Sequence, residues 1–297
     1  CFTRTDGNDG AGCSVSRFVS FDVIVLGGGM VGATTALALQ DRNKQVALVD
    51  EGNSVGQSSF GNAGIIQAEA AEPYAMPRSM RELGAIALGR SNAVAWHAAG
   101  ILRMIGPLTS YFLNSAPARL KRIARTYAKL TTRSTSDHAP LIEAAKADHL
   151  IRREGFRHAF HAPAELATAV SHAERLNEEY GVRFIAQDGS ALAAREPTLK
   201  KRMAGAIHWL DPWTCSDPGA LVSAYTELFR SRGGRTFRAD AMTLTRNAGG
   251  WQLVENERRE RIRAPDAVIA LGIRSSELCR RFGFRVPLFP KRGYHIH

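Results

Sequence analysis

Apolar positions along the chain change their spacing several times, and each spacing predicts a different element. Val23–Leu26 is a short continuous apolar run, Gly27–Gly32 interrupts it, and an Ala/Leu-rich stretch follows to Gln40. Val46–Val49 is a second apolar run. Together they predict a strand, a glycine turn, a helix over Ala33–Gln40 and a second strand. That is a β-α-β unit with a parallel pair and a right-handed crossover. From Pro77 to Leu150 the spacing is mostly helical. Leu120, Ile123, Tyr127 and Leu130 share one face, predicted to be buried, and Arg119, Lys121, Arg122, Arg125 and Lys129 fall mainly on the other. "TTRSTSD" (131–137) reads as a linker between helices.

Residues 151–215 mix short strands ("GFRHAFH", "AGAIHWL") with one helix started by Pro163 and ended by Gly181. A second punctuated helix follows. Asp217 is its N-cap, Pro218 its first residue, Gly233 and Gly234 its stop, and Leu221, Val222, Tyr225, Leu228 and Phe229 its buried face. "RTFRADAMTLTR" and "WQLVENERRERIRA" alternate as the strands of a hairpin or meander. "DAVIALG" predicts a buried strand ending in glycine, and a capped helix starts at Ser275 or Ser276. No internal repeat or low-complexity tract interrupts this order.

Composition narrows the function classes. With 297 residues, 44% hydrophobic and 23% charged, the chain has enough apolar side chains for a large core, which excludes wholesale disorder. The net charge of +11 is spread over the chain without a base-reading motif, so no nucleic acid partner is expected. The uncharged stretch between Asp22 and Asp41 holds glycines, Thr34 and Thr35, and Arg90, His97 and Arg103 interrupt the other long apolar region. Neither reads as a transmembrane helix. Cys1, Cys13, Cys215 and Cys279 show no metal-type spacing and read as reduced thiols of a cytoplasmic protein. His158 and His161 resemble a metal pair, but no third ligand stands at useful spacing, and no metal is expected. Residues 1–20 are polar and Gly-rich, without a signal-peptide pattern, and are expected to form an unstructured leader.

The chemistry concentrates in the glycine turn. Gly27, Gly29 and Gly32 fit G-x-G-x-x-G between a strand and a helix. The first glycine permits a tight turn, the second lets the backbone approach a pyrophosphate, and the third allows close strand–helix packing. Gly28, Met30 and Val31 complete the turn. Asp50, eighteen residues after Gly32, is placed to accept hydrogen bonds from adenosine ribose hydroxyls, with Glu51 beside it. This fingerprint serves NAD and FAD alike. "SSFGNAGII" (58–66) tilts the choice to FAD. Ser58, Ser59, Asn62, Ala63, Gly64 and Ile65 can wrap a ribityl chain and bring backbone N–H groups to a flavin ring. Ala270, Leu271 and Gly272, at the end of "DAVIALG", can abut the dinucleotide.

On these segments, with "AREPTL" (194–199), "SDPGALVSAYTELFRSRGG" and "PLFPKRGYHI" (287–296), the chain resembles the FAD-dependent oxidoreductases of the D-amino-acid oxidase superfamily, most closely bacterial D-amino-acid dehydrogenases. The resemblance runs from Asp22 to the last residue. It implies an α/β fold, a Rossmann-type FAD-binding domain with an inserted α+β substrate domain, incomplete at the C-terminus. The expected division is leader 1–20, FAD-binding parts 21–78 and 216–283, and substrate parts 79–215 and 284–297. The implied reaction oxidises a D-amino acid to a 2-oxo acid and ammonia by hydride transfer from Cα to flavin. Electrons then pass to a respiratory-chain acceptor rather than to oxygen. The implied location is cytoplasmic, peripheral on the inner face of the plasma membrane, with the basic face at 119–129 as a point of lipid contact. Such enzymes grip the substrate carboxylate with an Arg and a Tyr, for which Arg292 and Tyr294 are the late candidates. Family members extend well past "GYHIH", so the expectation is a fragment that folds incompletely alone and turns nothing over. Oxidation of sarcosine, glycine or an opine, and a non-catalytic remnant that binds a dinucleotide, stand as alternatives.

Overall fold

The computed structural model describes residues 18–52, 58–59, 61–88, 98–257 and 260–288. They fall into two compact units, one within 1–57 and 226–286, the other within 58–225. In the first unit the parallel sheet runs β10–β3–β2–β14, from β2 (Val23–Leu26), β3 (Val46–Asp50), β10 (Arg235–Arg238) and β14 (Asp266–Ile269). All four residues of β2 are buried, as befits a central strand covered on both faces, which explains why it reads as an unbroken apolar run. Helix α1 (Met30–Gln40) begins three residues earlier than its apolar pattern and buries Gly32, Ala33, Ala36 and Leu37. Small residues at this spacing let the helix lie close to the sheet.

A second sheet, β1–β13–β12–β11, comprises β1 (Phe18–Ser20), β11 (Thr245–Asn247), β12 (Gly250–Val254) and β13 (Arg261–Ala264). Its Leu253, Ile262 and Ala264 share one core with Ile24, Leu26, Ala47, Val49 and Phe237 of the parallel sheet. Strand alternation turns Val25 and Leu48 to the opposite face. Two expectations are corrected here. Phe18–Ser20 is not leader but a strand paired in parallel with β13. Its Phe18 ring lies under the guanidinium groups of Arg261 and Arg263. Arg235–Arg238 is not part of the meander but pairs in parallel with β3 at Ala47–Asp50. Strand alternation looks the same in either sheet, so the sequence alone could not choose between them. Helix α9 (Ser275–Arg281) closes the unit without a side-chain cap.

The second unit holds two antiparallel three-stranded sheets. One is β4–β9–β5 (Ile65–Ile66, Trp213–Cys215 and Ile151–Arg152). The other is β6–β8–β7 (Phe156–Phe160, Gly205–Trp209 and Phe184–Asp188). Around them lie α2 (Met80–Ala87), α3 (Ala98–Asn114), α4 (Pro117–Thr131), α5 (Ser134–Ala144), α6 (Pro163–Tyr180) and α7 (Gly189–Arg195). Residues 131–137 are thus mostly helix rather than linker. Helix α6 ends as its sequence predicts, with Gly181 left-handed at φ +72°. The core joins Ala128 of α4, Ala173 and Leu176 of α6, and Ile207 and Trp209 of β8.

Helix α4 overturns the predicted face. It buries Ala124 and Ala128, while Ile123, Tyr127 and Leu130 stay exposed, Leu130 to 71%. The chain returns to the first unit within α8 (Pro218–Ser231), capped by Asp217 Oδ1, which accepts from the Ala220 N–H at 2.9 Å. No helix among the described residues is long and apolar enough to cross a membrane.

Candidate functional site

The glycine turn sits at the carboxyl ends of β2, β3 and β14, where open α/β sheets hold their ligands. Three backbone N–H groups tie the strand ends together. Gly27 N–H donates to the Val49 carbonyl at 2.7 Å, Ala270 N–H to the Leu26 carbonyl at 2.8 Å, and Gly28 N–H to Asp50 Oδ2 at 2.7 Å. The other Asp50 oxygen accepts from Gly52 N–H at 2.8 Å. Its carboxylate is therefore fixed against the loop by a backbone N–H on each oxygen, at the rim where the sequence placed a ribose.

The four glycines do different work. Gly27 has φ +107°, and a Cβ there would lie 2.4 Å from the Ala270 carbonyl oxygen. A Cβ on Gly32 would lie 1.7 Å from the Gly27 oxygen, so any side chain would push the helix off the turn. A Cβ on Gly28 would crowd the Asp50 side chain at 3.0 Å. Gly29 differs: its backbone is extended, at φ −73° and ψ −174°, and a Cβ would meet nothing within 4 Å. The fold itself makes no demand for glycine there. Gly29 is also the N-cap of α1, no side chain caps the helix, and no acidic residue stands in its first turn. The start of the helix thus has open space beside Gly29 and no acid in its own first turn. The open space at Gly29 has room for an adenine dinucleotide's pyrophosphate.

Glu51, expected beside the ribose, is engaged by Arg274, whose Nη1 donates to its Oε1 at 2.5 Å. Arg274 follows Gly272 in the turn after β14, and the Glu51 carboxylate, then Asp240 and Glu277, raise its pKa. Sequence reading missed Arg274. Its one signal was a position two residues past the glycine of "DAVIALG". Ala270, Leu271 and Gly272, the last at φ +56°, stand at the same strand ends as the glycine turn.

Ser58, Ser59, Asn62, Ala63, Gly64 and Ile65 belong to the second unit. Asn62 Oδ1 accepts from Gly64 N–H at 2.8 Å, and the Gly64 carbonyl accepts from Cys215 N–H at 2.6 Å. Gly64 is left-handed at φ +67°, and a Cβ would lie 2.0 Å from the Cys215 carbonyl oxygen. This glycine is required by the crossing of β4 and β9. Beyond the loop, Glu69 is buried with its Oε2 unpartnered, and burial raises its pKa despite the bond from Gln67. His138 Nδ1 meets the hydroxyl of fully buried Tyr225 at 2.9 Å, and burial lowers the imidazole's pKa. Burial likewise raises the Tyr225 hydroxyl and the Cys215 thiol. Arg292 and Tyr294 lie outside the described residues. No group of three or more His, Cys, Asp or Glu that could hold a metal occurs among the described residues, and His158 stacks near Phe160 instead.

A family model described as FAD dependent oxidoreductase (DAO) matches residues 22–297. The chain is 28% identical over 277 residues to a D-amino-acid oxidase of Bradyrhizobium diazoefficiens, covering 92% of this chain and 65% of the relative. It is 30% identical over 294 residues to a D-amino acid dehydrogenase of Dechloromonas aromatica, covering 92% and 67%. Among solved structures, glycine oxidase from Geobacillus kaustophilus superposes with TM-score 0.58 at 18% identity, covering 89% of this chain and 58% of the other. L-amino acid deaminase from Proteus vulgaris gives 0.58 at 18%, covering 95% and 53%. These structures share the fold. The chain spans about two thirds of the length of the curated relatives.

Proposed function

The chain belongs to the DAO family of FAD dependent oxidoreductases, and from that premise we propose that it is an FAD-dependent D-amino-acid dehydrogenase. The reaction takes a D-amino acid and water to a 2-oxo acid and ammonia, with two electrons passed to an acceptor other than oxygen. The observation that carries the cofactor half of this reading is Gly29, a glycine with open space above it at an uncapped helix start. When bound, FAD supplies the hydride acceptor for the substrate Cα–H. The chain's own groups do the holding. The α1 N-terminus takes the pyrophosphate, Asp50 takes the ribose, and Gly27 and Gly32 keep helix and strand close enough for both. Arg292 and Tyr294 grip the substrate carboxylate, a task suited to a charge-assisted fork. The relatives named as D-amino-acid oxidase and D-amino acid dehydrogenase support a D-amino acid as substrate.

Helix α4 supports a peripheral contact with anionic lipid. It carries five cations and no acid, and it leaves Ile123, Tyr127 and Leu130 exposed. The deciding experiment is anaerobic addition of D-alanine to the FAD-reconstituted chain with a redox dye. Flavin bleaching with stoichiometric dye reduction would carry this reading and overturn the expectation of an idle fragment, and Gly29→Asp should remove both. A bound flavin that D-alanine leaves oxidised, while glycine or sarcosine reduces it, would replace the D-amino-acid reading. A flavin that no amine reduces would leave a dinucleotide-binding protein without turnover.

A further inference from the structure

Between β7 and β8 the chain makes an excursion over residues 189–204 that the dinucleotide site does not use. Its neck is pinned at both ends. Asp188 Oδ1 caps α7 by accepting from Ser190 N–H at 2.9 Å and Ala191 N–H at 2.8 Å, and Ala204 N–H donates to the Phe160 carbonyl at 2.9 Å. The backbone crosses itself closely at the neck, since a Cβ on Gly189 would lie 2.4 Å from the Met203 carbonyl oxygen. This closed excursion lines a half-open cavity of about 630 Å³. That volume is in the range of small-molecule sites. Leu192, Leu199 and Met203 give the cavity an apolar lining, and Lys200, Lys201 and Arg202 line it with three consecutive cations.

The charge has no internal answer. The excursion holds one acid, Glu196, and Arg157 takes it at 3.0 Å. Lys200, Lys201 and Arg202 form no ion pair among the described residues, in contrast to Arg133, Arg153, Arg175, Arg183 and Arg232, which all do. Three adjacent like charges at a cavity of mixed polar and apolar lining repel one another, and an entering anion offsets that repulsion. Two lysines supply compact, rotatable charges that suit phosphate oxygens, and the guanidinium adds a fork. We propose that this cavity is a binding site for a phosphate ester with a small apolar body, separate from the dinucleotide cradle.

Site-resolved lysine acylation of the FAD-loaded full chain, read by mass spectrometry, tests this with hexyl phosphate as the probe. Saturable protection of Lys200 and Lys201 by at least about threefold is expected, with Lys121 and Lys129 of α4 unprotected. Inorganic phosphate should need at least about tenfold higher concentration for the same protection, because it cannot use the apolar lining. The exposed triple variant Lys200→Gln, Lys201→Gln, Arg202→Gln should keep its FAD spectrum and abolish calorimetric binding of hexyl phosphate. Equal protection of all lysines, equal potency of inorganic phosphate, or undiminished binding to the triple variant would each overturn the assignment.

Discussion

Two glycine-bearing loops, alike in sequence character, turn out opposite in construction. In Gly27–Gly32 the fold uses Gly27 and Gly32 for itself and leaves Gly29 facing open space. In Asn62–Ile65 the position of Gly64 is filled by the chain's own Cys215 carbonyl, and the loop's polar groups bond one another. The first loop is prepared for something absent from the polypeptide, whereas the second is finished by the polypeptide. A glycine thus signals a ligand only when nothing within the fold demands it.

Substitutions can break this contrast, beginning with the largest effect. Gly32→Ala places a methyl against the Gly27 oxygen and should cost more than about 4 kcal/mol, seen as loss of soluble protein or collapse of the urea midpoint. Gly64→Ala combines left-handed strain with overpacking and should cost about 3 kcal/mol by the same measurement. Gly29→Asp should do the reverse. Aspartate is a good N-cap, so the melting temperature should hold or rise by the equivalent of a few tenths of a kcal/mol. Its carboxylate should nonetheless weaken FAD binding by about 100-fold, or about 2.7 kcal/mol, in a fluorescence titration. A stable Gly29→Asp protein that still binds FAD would erase the distinction between the two loops.

Smaller effects sharpen the picture of the second region as self-contained. Glu69 has a raised folded pKa, so its stabilising contribution is present below the ordinary glutamate value and is lost as pH rises through the folded value. Between pH 4 and pH 8 the stability of Glu69→Gln, read from urea unfolding, should fall less than that of the parent. His138 has a lowered folded pKa, so its contribution is full above the ordinary histidine value and falls away as pH drops below it. Between pH 7.5 and pH 5.5 the parent should lose stability that His138→Gln retains, read from urea unfolding.

Local rules made much of the molecule legible before any coordinates. The β2–turn–α1–β3 unit follows from an apolar run, a glycine spacing and a small-residue helix. Asp217 caps α8 and Gly181 closes α6 because both act within a few residues of themselves. The same locality explains what was missed. Arg235–Arg238 alternates equally well for either sheet, and only pairing with β3 assigns it. Phe18–Ser20 is too short to announce a strand, and β13 supplies its ladder partner. Arg274 became part of the site only through Glu51, 223 positions away.

By itself, then, the sequence determined where the chain turns and caps, and which loop can approach a phosphate, because those properties are set by φ, Cβ and N–H groups within one turn. Tertiary structure alone decided which face of α4 is buried, which strand completes each sheet, and which glycine is left open. Those outcomes depend on the shape of distant neighbours. Ala124 and Ala128 enter the interior while Ile123, Tyr127 and Leu130 stay outside because the available space, not hydrophobicity, selects the side chain.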